Sequence, residues 1–178
     1  MRSELTEFRD RWLPIVAGRR RNIGELLEAE REAVAKDVVL VLDTSGSMAG
    51  EKMDQAKAAA RYVLENLGER DRFNIVSFST ATRLFSDRPV VLAQRAQGHE
   101  FIQRLQAAGS TDINRALLEA VYGADSERPT VVIFLTDGLP TAGETDPDRI
   151  IANVAAAAPK SVRLFAFGVG YDVDTVLL

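Results

Sequence analysis

The chain has 178 residues, of which 46% are hydrophobic, and a formal net charge of -4. Its length allows one hydrophobic core, and the lack of cysteine excludes disulfides, zinc-thiolate sites and thiol catalysis. The acidic balance argues against a nucleic-acid partner, and no apolar run approaches the roughly 20 residues that a membrane span needs. Because the N-terminus is charged and has no apolar signal segment, we expect a cytoplasmic location.

Residues 1–36 form the first predicted unit, a helical segment without strand pattern. Apolar residues recur there at the spacing of two amphipathic helices, which Pro14 and Gly18 interrupt. Such helices could cover a face of the following domain or dock on a partner chain. The sequence does not separate these two interpretations.

Residues 37–178 form the second predicted unit, in which strands and helices alternate. The strands are predicted at 38–43, 71–78, 82–85, 130–137 and 162–169, and the helices at 51–67, 94–107, 112–122 and 147–158, with a last helix starting at the chain end. This alternation predicts an α/β fold: a Rossmann-like, open, mainly parallel twisted sheet with helices on both faces. Residues 82–85 are expected to form one antiparallel edge strand.

Five oxygen-bearing side chains follow the predicted strands. Asp43 and Asp137 end two apolar strands, Ser45 and Ser47 follow the first of them, and Thr111 comes from a separate loop before a helix. In open α/β sheets ligands bind outside the carboxyl ends of the strands, where the strand order reverses. We therefore expect these five side chains to converge there.

Carboxylates and hydroxyls are hard donors, which suit Mg²⁺, and also Mn²⁺ or Ca²⁺, better than zinc or copper. Only two of the five side chains carry charge, so an ion held there keeps much of its positive character. It should then attract a carboxylate that a partner protein presents. Gly46, between the two serines, is expected to permit the tight backbone path.

Taken singly, each of these side chains could be an ordinary loop, cap or turn residue. Their occurrence together favours the metal site. Asp112 and Thr136 stand beside the candidates and could support them, whereas the acidic residues 144–148 are best explained as a solvated loop. His99, the only histidine, lies in a polar stretch without a catalytic partner, so we predict no catalytic residue.

Three short segments carry a resemblance to a known family. Residues 43–47 (DTSGS), 109–113 (GSTDI) and 134–138 (FLTDG) resemble, in order and context, the metal-ion-dependent adhesion site (MIDAS) of the von Willebrand factor type A domain. Residues 71–79 and 167–174 are similar to the branch found in inter-alpha-trypsin inhibitor heavy chains and their bacterial relatives.

The resemblance implies that Ser45, Ser47 and Thr111 coordinate the ion directly. It implies that Asp43 and Asp137 act directly or through water, while a partner's Glu or Asp fills the open position. Two departures stand out: such domains usually continue with a final strand and helix, and the first 36 residues do not resemble the domain that precedes this one in the heavy-chain branch.

Two function classes agree with a carboxylate at the end of the first strand. One is a protein-binding module that captures an acidic residue through the ion; the other is a magnesium-dependent haloacid-dehalogenase-like phosphatase. The phosphatase needs a second aspartate two positions after the first, and this chain has Ser45 there, which cannot serve as acid and base. No phosphate-binding loop ending in lysine occurs either. We therefore predict binding rather than catalysis.

Overall fold

The computed structural model describes residues 35–170. The predicted helices of the N-terminal segment and of the chain end lie outside the described residues. The elements are β1 (Asp37–Asp43), α1 (Glu51–Glu65), β2 (Arg72–Phe78), β3 (Thr82–Leu84), β4 (Val90–Val91), α2 (Arg95–Gln103), α3 (Ile113–Tyr122), β5 (Thr130–Thr136), α4 (Pro147–Ala157) and β6 (Val162–Gly168).

The strands form one sheet in the order β3-β2-β1-β5-β6, in which β1, β2, β5 and β6 are parallel. This arrangement confirms the predicted mainly parallel α/β fold. Two short strands rather than one pair antiparallel with β2: β3, as expected, and β4. The sequence did not indicate β4 because two residues after a proline are too few to show alternation.

Strand β1 lies at the centre of the sheet, and its side chains alternate between two cores. Val38, Leu40 and Leu42 pack with α1 and α2 on one face, whereas Val39 and Val41 pack with α3 and α4 on the other. Every residue of β1 is buried. Burial on both faces explains why this strand is an uninterrupted apolar run rather than an alternating one.

Helix α2 is shorter than the predicted helix at 94–107, since it begins at Arg95 and ends at Gln103. Leu105 lies beyond the helix end but is buried in the same core as the residues of α2. Its apolar side chain therefore fits the helical spacing of the sequence although its backbone is not helical. The other predicted helices and strands lie within two residues of their observed bounds. Within residues 35–170, no helix combines the length and the apolar character that crossing a membrane requires.

The strand order reverses beside β1. The chain passes from β1 to β2 on one side of it and later adds β5 on the other side. Asp43 is the last residue of β1, and Asp137 directly follows β5. Both aspartates therefore lie at the carboxyl edge of the sheet, at the position where folds of this kind bind ligands.

Candidate metal site

A continuous run of hydrogen bonds joins four of the five predicted site residues. The Asp43 Oδ1 atom accepts a hydrogen bond of 2.7 Å from the backbone N–H of Ser45. The hydroxyls of Ser45 and Ser47 are 3.1 Å apart, and the Ser47 hydroxyl donates to Oδ1 of Asp137 over 2.9 Å. The loop after β1 thus folds back across the sheet edge to the end of β5, as the sequence predicted.

The Asp43 carboxylate is fully buried at the base of this run. Its Oδ2 atom accepts a hydrogen bond of 2.6 Å from the hydroxyl of Thr136. Burial raises the pKa of Asp43, hydrogen bonds from Thr136 and Ser45 act in the opposite direction, and the nearby charge of Asp137 adds to the rise. The hydrogen bonds to Asp43 come from neutral groups, so its charge would gain from a bound cation.

Backbone contacts bring the loop of Thr111 to the same place. The N–H of Gly46 donates to the carbonyl of Gly109 over 2.9 Å, which joins this loop to the one after β1. The N–H of Thr111 donates to the hydroxyl of Thr141 over 2.9 Å, and its carbonyl accepts from the N–H of Thr141, which joins it to the loop after β5. Thr111 is only 5% exposed. Three loops therefore enclose the candidate site.

The glycine that this arrangement requires is Gly109, not Gly46. Gly109 has a φ of 85°, and a Cβ atom built on it would lie 2.7 Å from the hydroxyl oxygen of Thr80. Gly46 is not among the described glycines with positive φ, and its Cβ would make an ordinary contact of 3.6 Å with the Gly109 carbonyl. The prediction that Gly46 permits the tight backbone path was wrong, because the positive φ that requires a glycine occurs at Gly109, in the loop that contacts Gly46.

The residues beside the candidates divide into two groups. Thr136 supports the site directly through its hydrogen bond to Asp43. Asp112 instead caps α3 by accepting a backbone N–H in the first turn of that helix. Asp146 caps α4 in the same way, and Glu144 accepts from the backbone N–H of Asp146. The acidic stretch is thus used locally, in agreement with its interpretation as a loop.

Lys52 contacts the site, and the sequence interpretation missed it. Its Nζ atom lies 2.7 Å from Oδ2 of Asp137; the lysine side chain is 30% exposed and the aspartate side chain 1%. A lysine in the first turn of a helix opposes the helix dipole, so its position in α1 was a signal that it pairs with a nearby acid. The candidate site contains one fixed cation beside two carboxylates.

Comparison with known proteins decides the family. The sequence matches the von Willebrand factor type A domain over residues 37–178. This chain belongs to that family. The match spans the sheet and all three loops of the candidate site, and it confirms the predicted resemblance to this domain family.

Individual relatives agree with this assignment. The chain is 38% identical over 156 residues to inter-alpha-trypsin inhibitor heavy chain H4 of Homo sapiens, an alignment that covers 80% of this chain and 17% of the relative. The chain thus matches about one sixth of that protein's length. Its similarity to heavy chains is as the sequence predicted.

Solved structures show the same fold. A von Willebrand factor type A protein from Catenulispora acidiphila has a TM-score of 0.67 and 24% identity, covering 80% of this chain and 35% of that one. Proximal thread matrix protein 1 of the mussel byssus, solved "with zinc occupied MIDAS motif", has a TM-score of 0.63 and 20% identity, covering 82% of this chain and 40% of that one.

Domains of this family mediate protein interactions and are not enzymes. The prediction that the chain is not an enzyme is therefore confirmed by the family, and the phosphatase alternative is not favoured. The structure agrees at one point in particular. Ser45, which stands where the phosphatase would need its second aspartate, is engaged with Ser47 and with the Asp43 carboxylate.

Proposed function

We propose that this domain binds a divalent cation, Mg²⁺ in the first place, and through it captures an Asp or Glu side chain of a partner protein. The run of oxygens from Asp43 through Ser45 and Ser47 to Asp137 is the observation that carries the proposal. Two carboxylates and several hydroxyls are a donor set suited to Mg²⁺, Mn²⁺ or Ca²⁺. The family assignment supports the interaction role.

The five side chains have different tasks in this proposal. The hydroxyls of Ser45, Ser47 and Thr111 would hold the ion directly. Asp43 and Asp137 would act directly or through water; Asp43 also accepts from the backbone N–H of Ser45, and Asp137 accepts from the Ser47 hydroxyl. The bound ion would supply a positive charge with an open coordination position at the sheet edge. Among the residues that the structure describes, no group of three His, Cys, Asp or Glu side chains is placed to hold a metal ion.

The charge of the site explains why a partner's acid would bind. Hydroxyl ligands are neutral and leave most of the cation's charge uncompensated, and an external carboxylate can then add its own charge at the open position. The zinc-occupied site named for the mussel protein indicates that this fold can hold a divalent ion. Titrations of this chain with Mg²⁺, Mn²⁺, Ca²⁺ and Zn²⁺ would identify its preferred ion.

Unfolding in urea with and without Mg²⁺ tests the ion site. Wild-type protein should be stabilised by Mg²⁺, whereas Asp43→Ala and Ser45→Ala should keep the fold and lose that shift. Ser161→Ala is the matched control, since the Ser161 hydroxyl donates to the backbone carbonyl of Asp125 at the other end of the sheet. An equal Mg²⁺ shift in wild type, Asp43→Ala and Ser45→Ala would refute the proposed site.

A simple carboxylate tests the second half of the proposal. Acetate should tighten the apparent binding of Mg²⁺ to the wild-type protein, because two ligands that share a coordination sphere help each other reciprocally. Peptides that differ only in Glu against Gln then test whether a protein acid is captured in Mg²⁺ and released by EDTA. If the wild-type protein hydrolyses an aryl phosphate and the Asp43→Ala variant does not, the phosphatase hypothesis would be supported instead.

Three further predictions concern the whole chain. Docking of a partner chain on residues 1–36 stays a prediction, as does the division of the chain at residue 37. The cytoplasmic location also stays a prediction. Fractionation of cells that express the native protein would measure its location directly.

A further inference from the structure

Lys52 divides the Asp137 carboxylate between two environments. Oδ2 of Asp137 lies 2.7 Å from the lysine Nζ, while Oδ1 accepts a hydrogen bond from the Ser47 hydroxyl. One oxygen thus faces the hydroxyl run and the other faces a fixed positive charge. Because the aspartate side chain is 1% exposed, water screens this ion pair weakly.

The lysine is held at both ends. Its ammonium is fixed by Asp137, and its aliphatic stem runs beside Gly170, directly after β6. A Cβ atom at Gly170 would lie 2.9 Å from Cε of Lys52. A cation in the first turn of α1 opposes the helix dipole, so the location is unfavourable unless the pairing compensates. These contacts make Lys52 a built part of the site rather than a solvated surface lysine.

The lysine changes the charge of the loaded site. Counted over the whole site, the two negative charges of Asp43 and Asp137 equal the two positive charges of a divalent ion, although the neutral hydroxyls that would contact the ion leave its charge exposed at the open position. Lys52 adds one positive charge beside the ion, 2.7 Å from Oδ2 of Asp137. This charge repels the entering cation and attracts an entering carboxylate, so it acts on the two ligands with opposite sign.

We propose that Lys52 sets this charge balance: it weakens the binding of the divalent ion and strengthens the capture of a carboxylate by the loaded site. The inference rests on the proposed function, since it concerns the same ion and the same open position. A lysine that merely orients Asp137 would act differently. Its loss would then weaken ion binding and carboxylate binding together.

Calorimetric titration of Mg²⁺ into the whole chain separates these roles. The titration is run in chloride and in acetate of equal ionic strength on wild type, Lys52→Gln, Lys52→Arg and Lys160→Gln. Lys160 lies in the loop before β6, at the opposite end of the sheet, so Lys160→Gln removes the same charge far from the site. Lys52→Arg keeps the charge.

Lys52→Gln should bind Mg²⁺ about tenfold more tightly than wild type in chloride, since a like charge beside the ion is removed. Acetate should then increase its Mg²⁺ affinity less than it does for wild type. Lys160→Gln and Lys52→Arg should both behave as wild type does. Higher salt should reduce the difference between Lys52→Gln and wild type.

Mg²⁺ binding by Lys52→Gln that is equal to or weaker than wild type would overturn the inference and leave the proposed function standing. Tighter Mg²⁺ binding with an unchanged acetate response would overturn it as well, because both shifts are required. If Lys52→Arg resembles Lys52→Gln, charge is not the cause and the inference is again wrong. Absence of Mg²⁺ binding in all four proteins would overturn the inference and the proposed function together.

Discussion

The two ends of β1 each carry a fully buried aspartate, and the two are treated differently. Asp37, at the start of the strand, receives Arg72 through two contacts of 2.7 and 2.6 Å and lies 2.8 Å from the guanidinium of Arg128. Asp43, at its end, accepts from a backbone N–H and the hydroxyl of Thr136. Both aspartates are 0% exposed.

The two aspartates differ in whether side chains of the protein itself neutralise them. At Asp37 the protein supplies its own cations, and the pairing raises the pKa of Arg72, chiefly through its hydrogen bonds to Asp37. At Asp43 burial raises the pKa of the carboxyl group. Buried charges are normally paired or bound to metals. The amino end of the sheet is thus complete in itself, whereas the carboxyl end is suited to an external cation.

The largest expected effect on stability is at Asp37, at the amino end of the sheet. Asp37→Asn removes the carboxylate that Arg72 and Arg128 both contact. It should lower the free energy of unfolding by about 2–3 kcal/mol, a value reduced because both arginines are partly exposed and Arg72 keeps Asp125 at 3.9 Å. Urea unfolding should show the same loss with Mg²⁺ and with EDTA. A loss that Mg²⁺ repairs would contradict the distinction between the two ends.

The second largest expected effect is on stabilisation by Mg²⁺ and is tested at Asp43. Asp43→Asn should unfold in EDTA at least as stably as wild type, because the amide can satisfy Ser45 and Thr136 without a buried charge. Wild type should gain about 2.7 kcal/mol from Mg²⁺ at a hundred times its Kd, and the variant should gain nothing. Asp37→Asn, if folded, is the control that keeps the Mg²⁺ gain.

A smaller effect concerns the loop that joins the site. Gly109→Ala should lower the free energy of unfolding by about 1–2 kcal/mol, because an alanine there takes a left-handed backbone and meets the hydroxyl of Thr80. It should also weaken Mg²⁺ binding by shifting the loop of Thr111. Gly46→Ala is the matched control and should change stability little. Equal losses in both variants would show that the loop geometry is misassigned.

The smallest effect is in the pH dependence of the metal-free protein. Because the folded pKa of Asp43 is raised, its contribution to stability is full below the ordinary aspartate pKa and is lost as pH rises through the folded pKa. Urea midpoints in EDTA should therefore fall for wild type relative to Asp43→Asn over that range. Mg²⁺ affinity should move the other way and decrease on acidification, since the ion needs the carboxylate. If the urea midpoint of wild type instead rises with pH relative to that of Asp43→Asn, burial does not raise the pKa of Asp43 as described.

Much of the fold was readable in the sequence because the signals were local. The apolar runs of β1 and β5 each led into an acid, and the helix predicted at 112–122 is observed as α3, Ile113–Tyr122. Where a signal was weak or indirect the prediction was incomplete. The two residues of β4 are held by pairing with β2, and α2 ends before the apolar spacing does.

The candidate site was also predicted in outline only. The convergence of Asp43 and Asp137 followed from strand order, which alternating elements suggest. Lys52 was missed because its contact with Asp137 joins residues 85 positions apart. Gly109 was missed because the sharp backbone turn depends on how two loops meet, which a sequence motif does not state.

The most direct test of the account is diffraction from crystals grown with Mn²⁺ and acetate, in which anomalous scattering locates the ion. We predict one ion in contact with the hydroxyl oxygens of Ser45 and Ser47, with one coordination position filled by an oxygen of acetate. An ion found elsewhere, no ion at all, or an ion fully enclosed by oxygens of this chain would contradict the central claim that the domain presents an open cation to a partner's acid.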